Sequence, residues 1–164
     1  MTGQYDDSSL QKTLGEMLQR ALTPEKPLCE ISFLMAQEMK TNIDQGGRPT
    51  PWVKSIRAQN MGGQTLRDSG TLENSMTSDV QGNTAMAGPT AVGRKKLSDP
   101  RIFGYLAYGG TITAKNKPYL RFRVPGGGYA MVKEVTNPPR DFTLMPDEAQ
   151  ETFGQIMQRY VVGQ

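Results

Sequence analysis

The spacing of apolar residues changes period twice along this chain, and those two changes limit its fold more than any other feature. Leu10, Leu14, Met17, Leu18 and Ala21 recur at i, i+4, i+7, i+8 and i+11, and Leu28, Ile31, Leu34, Met35 and Met39 share one face of a second stretch. Both follow the 3.6-residue period of an amphipathic helix. Ser8 or Ser9 is placed to cap the first helix. Thr23-Pro24 stops it and restarts the chain, and Asp44-Gln45-Gly46-Gly47 ends the second. The period then falls to two. Ser78 to Val80 and Thr84 to Ala87 alternate about Gly82-Asn83, and Thr111 to Ala114 and Tyr119 to Val124 alternate about Lys115-Asn116-Lys117-Pro118. Tyr129 to Val135 reads as a further strand. From about Pro146 to Val161 the helical period returns, with Ala149, Phe153, Ile156, Met157 and Tyr160 on one face. Asp147, Glu148 and Glu151 at its start and Arg159 near its end suit the helix dipole. This order predicts an α+β fold: a mostly antiparallel sheet packed against N-terminal helices and one C-terminal helix, with long loops.

A length of 164 residues fits one domain, residues 1–164. It divides into an N-terminal helical hairpin (8–44), a loop (45–70), and a sheet with the C-terminal helix (71–161). The two N-terminal helices can pack on each other or swing apart to reach a neighbouring subunit. Loop 45–70 has Trp52 as its one large apolar anchor and one helical turn expected near Ser55 to Ala58. Thr71 or Ser69 is placed to cap a short helix through Met76, and a second loop runs from Gly88 to Arg101. Met17, Met35 and Met39 read as core. Eighteen Gly and eleven Pro exceed a sixth of the chain, while hydrophobic residues make up only 36%. That balance predicts a compact core with loops or arms that order against partners.

The chain contains no histidine, which removes the commonest general base and metal ligand and the usual partner of a nucleophilic Ser or Cys. No catalytic residue, metal ligand or cofactor site is expected. Ser69-Gly70 and Ser75 have no base nearby in sequence. Gly109-Gly110 and Gly126-Gly127-Gly128 flank strands and read as turns, without the strand–loop–helix setting of a phosphate cradle. Cys29 is the single cysteine; it excludes an internal disulfide and reads as a buried structural thiol. No signal peptide and no membrane-length apolar run is present, so the protein is expected in the cytoplasm until it joins something larger.

The net charge of +3 is unevenly spread. Residues 94–123 hold eight basic side chains (Arg94, Lys95, Lys96, Arg101, Lys115, Lys117, Arg121, Arg123) against Asp99, a local +7. The remainder holds eleven basic and fifteen acidic side chains, a local −4. Contact with nucleic acid or an acidic partner, self-assembly of basic face on acidic face, and a solvated hairpin all fit this division. The basic residues, with Trp52, form the candidate interface. In the strand from Tyr119 to Val124, Leu120, Phe122 and Val124 share one face, and Tyr119, Arg121 and Arg123 share the other. The hairpin from Gly109 to Val124 is therefore expected to use its faces for different jobs. Pro139, Arg140 and Phe142 are expected to anchor the C-terminal helix to the sheet, because Pro138-Pro139 sets an extended approach and Phe142 is the large apolar residue that follows.

Three landmarks fall in a recognisable order. They are Gln64-Thr65-Leu66-Arg67-Asp68-Ser69-Gly70-Thr71-Leu72-Glu73-Asn74-Ser75; Tyr105-Leu106-Ala107-Tyr108-Gly109-Gly110-Thr111-Ile112 followed by Lys117 to Phe122; and Pro138-Pro139-Arg140-Asp141-Phe142 before an acid-started helix. With two N-terminal helices and a Trp-bearing loop, the chain over roughly residues 10–161 resembles the phage virion-morphogenesis family. These are the tail-completion and head–tail joining proteins of Mu-like tailed phages. It departs from the family pattern where Tyr108 and its neighbours stand in place of a histidine, and where Asp141 stands in place of a second proline. The resemblance implies a tail terminator in the virion neck, built in the host cytoplasm as a homo-oligomeric ring with six copies favoured. It would contact the tail tube protein and the head connector or stopper, touch genomic DNA in passing, and avoid membranes. A head-completion stopper, a tail-assembly factor and, from another class, a small nucleic-acid-binding protein using residues 94–123 are the alternatives.

Overall fold

The computed structural model describes residues 7–90, 101–124 and 127–164. Its elements are helices α1 (Ser8–Leu22), α2 (Glu25–Gln45), α3 (Ile56–Met61) and α4 (Thr71–Asn74), strands β1 (Met76–Gln81) and β2 (Thr84–Pro89), helix α5 (Arg101–Tyr108), strands β3 (Gly110–Thr113), β4 (Leu120–Arg123), β5 (Tyr129–Val132) and β6 (Glu134–Asn137), and helix α6 (Asp147–Val162). The fold is α+β. Among the described residues its strands form three separate two-stranded antiparallel ribbons, β1–β2, β3–β6 and β4–β5, in place of one sheet.

Helix α2 is the central element, and β1, β2, α4 and α6 all pack on it. Its buried row is Pro27, Ile31, Ser32, Ala36, Met39, Asn42 and Ile43. Gly46, in the left-handed conformation, caps its end and donates to the Ile43 carbonyl. The core gathers Met39, Ile43, Leu72, Met76, Ala107 and Phe142, with Trp52, Leu66, Phe103, Leu106 and Met145 packed around it. The β1–β2 hairpin turns at Gly82-Asn83, where Gly82 takes φ 57°, a conformation that suits glycine in a two-residue loop. Ser55 caps α3 by accepting from the Ala58 amide at 3.2 Å, so the expected single turn is a six-residue helix.

Several expectations need correction. Helix α1 forms where predicted, but it packs on α6 and not along α2, so residues 8–44 are not a packed helical hairpin. Arg20 donates to the Val161 carbonyl and the Tyr160 hydroxyl donates to the Thr23 carbonyl, which ties the end of α1 to the last turn of α6. Residues 101–108 form helix α5, in which Phe103, Leu106 and Ala107 gain the core by coiling. Helix α4 ends at Asn74, two residues short of the expected Met76, which opens β1 instead. Cys29 is exposed, lying off the buried row of α2. The expected strand Tyr129 to Val135 is interrupted at Lys133, dividing into β5 and β6. Strand β3 does not pair with β4. It pairs with β6 in the register Gly110↔Asn137 to Thr113↔Glu134, while β4 pairs with β5 from Leu120↔Val132 to Arg123↔Tyr129.

Candidate functional site

The nested pairing makes residues 109–138 one arm of two successive hairpins. Six residues, Ala114 to Tyr119, separate β3 from β4, whereas Lys133 alone separates β5 from β6. The excess bulges out of the ribbon and carries Lys115 and Lys117, both exposed. The Ala114 amide still donates to the Lys133 carbonyl at 3.2 Å, so the two hairpins stay joined.

Cross-strand register sets the two faces of the outer hairpin. Arg121 stands opposite Met131 and Arg123 opposite Tyr129; Leu120 stands opposite Val132 and Phe122 opposite Ala130. One face is therefore cationic and aromatic, the other apolar, as the alternation in β4 predicted. The Arg121 guanidinium lies 4.0 Å from the centre of the Tyr129 ring, within cation–π range. Lys115, Lys117, Arg121 and Arg123 make no ion pair with any described residue. Arg101 is exposed at the start of α5, the helix that leads into the arm. The structure thus brings four of the predicted basic residues onto one arm. Arg94, Lys95 and Lys96 lie outside the described residues. Trp52 is half-buried against the core, its amide donating to the Gly46 carbonyl at 2.7 Å.

The base of the arm is fastened tightly. Gly109 has φ 72°, and a Cβ there would lie 2.6 Å from the Asn137 carbonyl oxygen and 2.8 Å from the Pro139 nitrogen, so only glycine lets the two ends of the arm pass. Arg140 is buried. Its amide donates to the Ala107 carbonyl at 2.9 Å, its Nε to the Val53 carbonyl at 3.2 Å and its Nη1 to Asn137 Oδ1 at 2.5 Å. Burial lowers the Arg140 pKa from its ordinary value, yet a guanidinium still holds its proton at neutral pH. Two residues on, Phe142 is 1% exposed in the core. Pro139 itself is exposed.

A polar network not foreseen from the sequence completes this junction. Asn42, fully buried, donates to the carbonyls of Phe142 at 3.0 Å and Leu144 at 2.7 Å, and accepts from Arg48 Nε at 2.7 Å. Arg48 in turn binds the Glu38 carboxylate at 2.6 Å. Nothing in the spacing of Glu38, Asn42 and Arg48 pointed to it beyond the i, i+4 step of the first two.

Two exposed apolar surfaces lie away from the core. On α1, Leu10, Leu14, Leu18 and Leu22 form a ridge at i, i+4, i+8 and i+12, and each is between 55% and 62% exposed. The charged residues of the helix, Lys12, Glu16 and Arg20, fall on the opposite row. The second surface is a groove of about 500 Å³ between α3 and the outer hairpin, lined by Ile56, Arg57, Met61, Phe122, Arg123 and Val124. Ile56 and Met61 are 64% and 68% exposed. Among the described residues no cluster of three potential metal ligands occurs, and no helix is long and apolar enough to cross a membrane. No protein-family model, curated protein or solved structure matches this chain.

Proposed function

We propose that this chain is a structural subunit of a phage neck: a tail-terminating, tail-completion protein that joins the tail tube to the head connector as a closed ring. Six copies is the favoured number. It acts by contact and not by catalysis, is assembled in the host cytoplasm, and ends in the virion. The observation that carries this reading is the separation of a well-packed helical body from an arm whose exposed face is cationic and aromatic, with its arginines making no ion pair among the described residues. A body that holds position and an arm that reaches is what a joining subunit needs. The ordered landmarks from Gln64 to Phe142 support the same family.

Mass spectrometry of purified particles tests the reading: the protein should be retained at several symmetric copies, and its loss should leave full heads and complete tails unjoined. Absence from the particle would favour an assembly factor. Attachment to heads lacking tails would favour a head-completion stopper. A monomer in mature particles would end the ring reading. The arm also favours a second reading, since residues 109–138 hold five basic side chains against one acidic. A nucleic-acid-binding protein would bind free duplex with a steep dependence on salt, whereas a neck subunit would bind it weakly.

A further inference from the structure

The outer hairpin is a two-stranded ribbon, for β4 pairs with β5 and no third strand joins either among the described residues. Such a ribbon gains stability from a third strand or a covering helix. Along its outer edge β4 keeps backbone N–H and C=O groups that β5 does not use. Phe122, Arg123 and Val124 all border the open space beside α3, and consecutive strand residues point to opposite faces, so it is the edge of β4 that is left clear. We propose that this edge takes up an extended segment of another protein as a third strand, with carboxylates at alternate positions set against Arg121 and Arg123.

Charge and spacing identify the occupant. Arg121 and Arg123 are exposed, make no ion pair among the described residues, and stand on one face about 6.8 Å apart along the strand. A strand added beside β4 carries its same-face side chains at the same interval, so acidic residues two apart meet both arginines. The Tyr129 ring lies 4.0 Å from the Arg121 guanidinium, which orders that group and leaves its N–H edge for a carboxylate. A second copy of β4 does not fit, because it would set arginine beside arginine. Nor does any other segment of a second copy, since no two acidic residues stand two positions apart anywhere in residues 1–164. A different chain has to supply the pattern. The same face favours protein over nucleic acid. Arg121 and Arg123 stand opposite Met131 and Tyr129, which are 62% and 60% exposed, and no lysine interrupts them; Lys115 and Lys117 lie outside, in the excursion. Arginine, tyrosine and methionine are the types that protein interfaces enrich, and lysine is the type they deplete. A phosphate backbone offers nothing to Met131 and cannot extend a β-ladder.

The inference goes beyond the neck reading and does not need it. The probe is a short synthetic peptide of alternating Val and Glu; the control has the same composition with the glutamates in adjacent pairs. Fluorescence anisotropy with the full-length chain should show the alternating peptide binding at least about tenfold more tightly than the control. N-methylation of alternate peptide residues should abolish binding in one register and spare it in the other, because only one set of N–H groups faces β4. Arg121→Gln with Arg123→Gln should weaken the alternating peptide by at least about tenfold, with the fold checked by circular dichroism. Arg121→Glu with Arg123→Glu should instead select a peptide of alternating Val and Lys, a gain that misfolding cannot mimic. Equal affinity for the two glutamate peptides, indifference to N-methylation in both registers, or no binding of either peptide overturns the proposal. So does tighter, salt-steep binding of duplex DNA through the same arginines, which would assign the edge to nucleic acid. None of these results alters the copy number in purified particles, so the neck reading stands or falls separately.

Discussion

The β1–β2 and β4–β5 hairpins are built alike, from short alternating strands, and they end in opposite circumstances. β1–β2 lies on α2 and buries Met76, the first residue of β1, in the core. β4–β5 carries Tyr129 and Met131 exposed and borders a groove that stays open. Strand alternation set the two faces in both cases; the presence of a helix to cover one of them decided which hairpin became body. The same distinction holds between helices, for α2 is covered on most of its apolar row and α1 on almost none.

The largest consequence of that contrast lies at Phe142. Phe142→Ala should lower unfolding free energy by about 3–5 kcal/mol in denaturant titration, because a ring is removed from the centre of the body. An unchanged midpoint would place this segment on the surface with the arm. Next, Asn42→Ala should cost about 1–3 kcal/mol, since the Phe142 and Leu144 carbonyls and Arg48 lose a partner at once. Measured in an Arg48→Ala background, the loss should shrink, which would identify the network as a unit. Replacing residues 115–132 with a two-residue Asn-Gly turn should change stability by less than about 1 kcal/mol, because the arm packs mainly on itself. A large loss would break the comparison by making the arm part of the body. Smallest of all, Arg121→Gln with Arg123→Gln should shift stability by no more than about 1 kcal/mol, the scale of an exposed cation–π contact. It should nevertheless lower the yield of joined head–tail particles. Normal joining with altered DNA packaging or ejection would place these arginines on the channel.

Much of the body was legible in the sequence for a local reason. In α2 the periodic row from Ile31 to Met39 and the closing glycines agree, and in β1–β2 the alternation and the Gly82 turn agree. Helix α5 was not legible, because Ile102, Phe103 and Tyr105 favour strands and Gly104 disfavours helix; packing of Phe103 and Leu106 on the core overrides both. The partner of β3 was misread because the nearest strand in sequence is β4, and only the full register reveals that residues 114–119 are an excursion. For the candidate surface, the two faces of β4 could be read from the period. The exposure of the leucine ridge could not, since periodicity identifies an apolar face without saying what lies against it. The buried Asn42 network was hidden because its partners are backbone carbonyls about a hundred residues away.

The hydrogen bonds from Tyr160 to the Thr23 carbonyl and from Arg20 to the Val161 carbonyl fasten one end of α1 to the last turn of α6 and set its direction there. Helix α1 has fifteen residues, so it extends about 22 Å from that point. A tilt of about 10° at that point would carry its far end, near Leu10, by about 4 Å, roughly three-quarters of the height of one helical turn. The aim of the ridge is therefore geared to the placement of Tyr160 and Val161, and small changes at the carboxyl end are magnified at the amino end. A tag fused after Gln164 would act on this lever, so oligomer measurements on C-terminally and N-terminally tagged protein should differ.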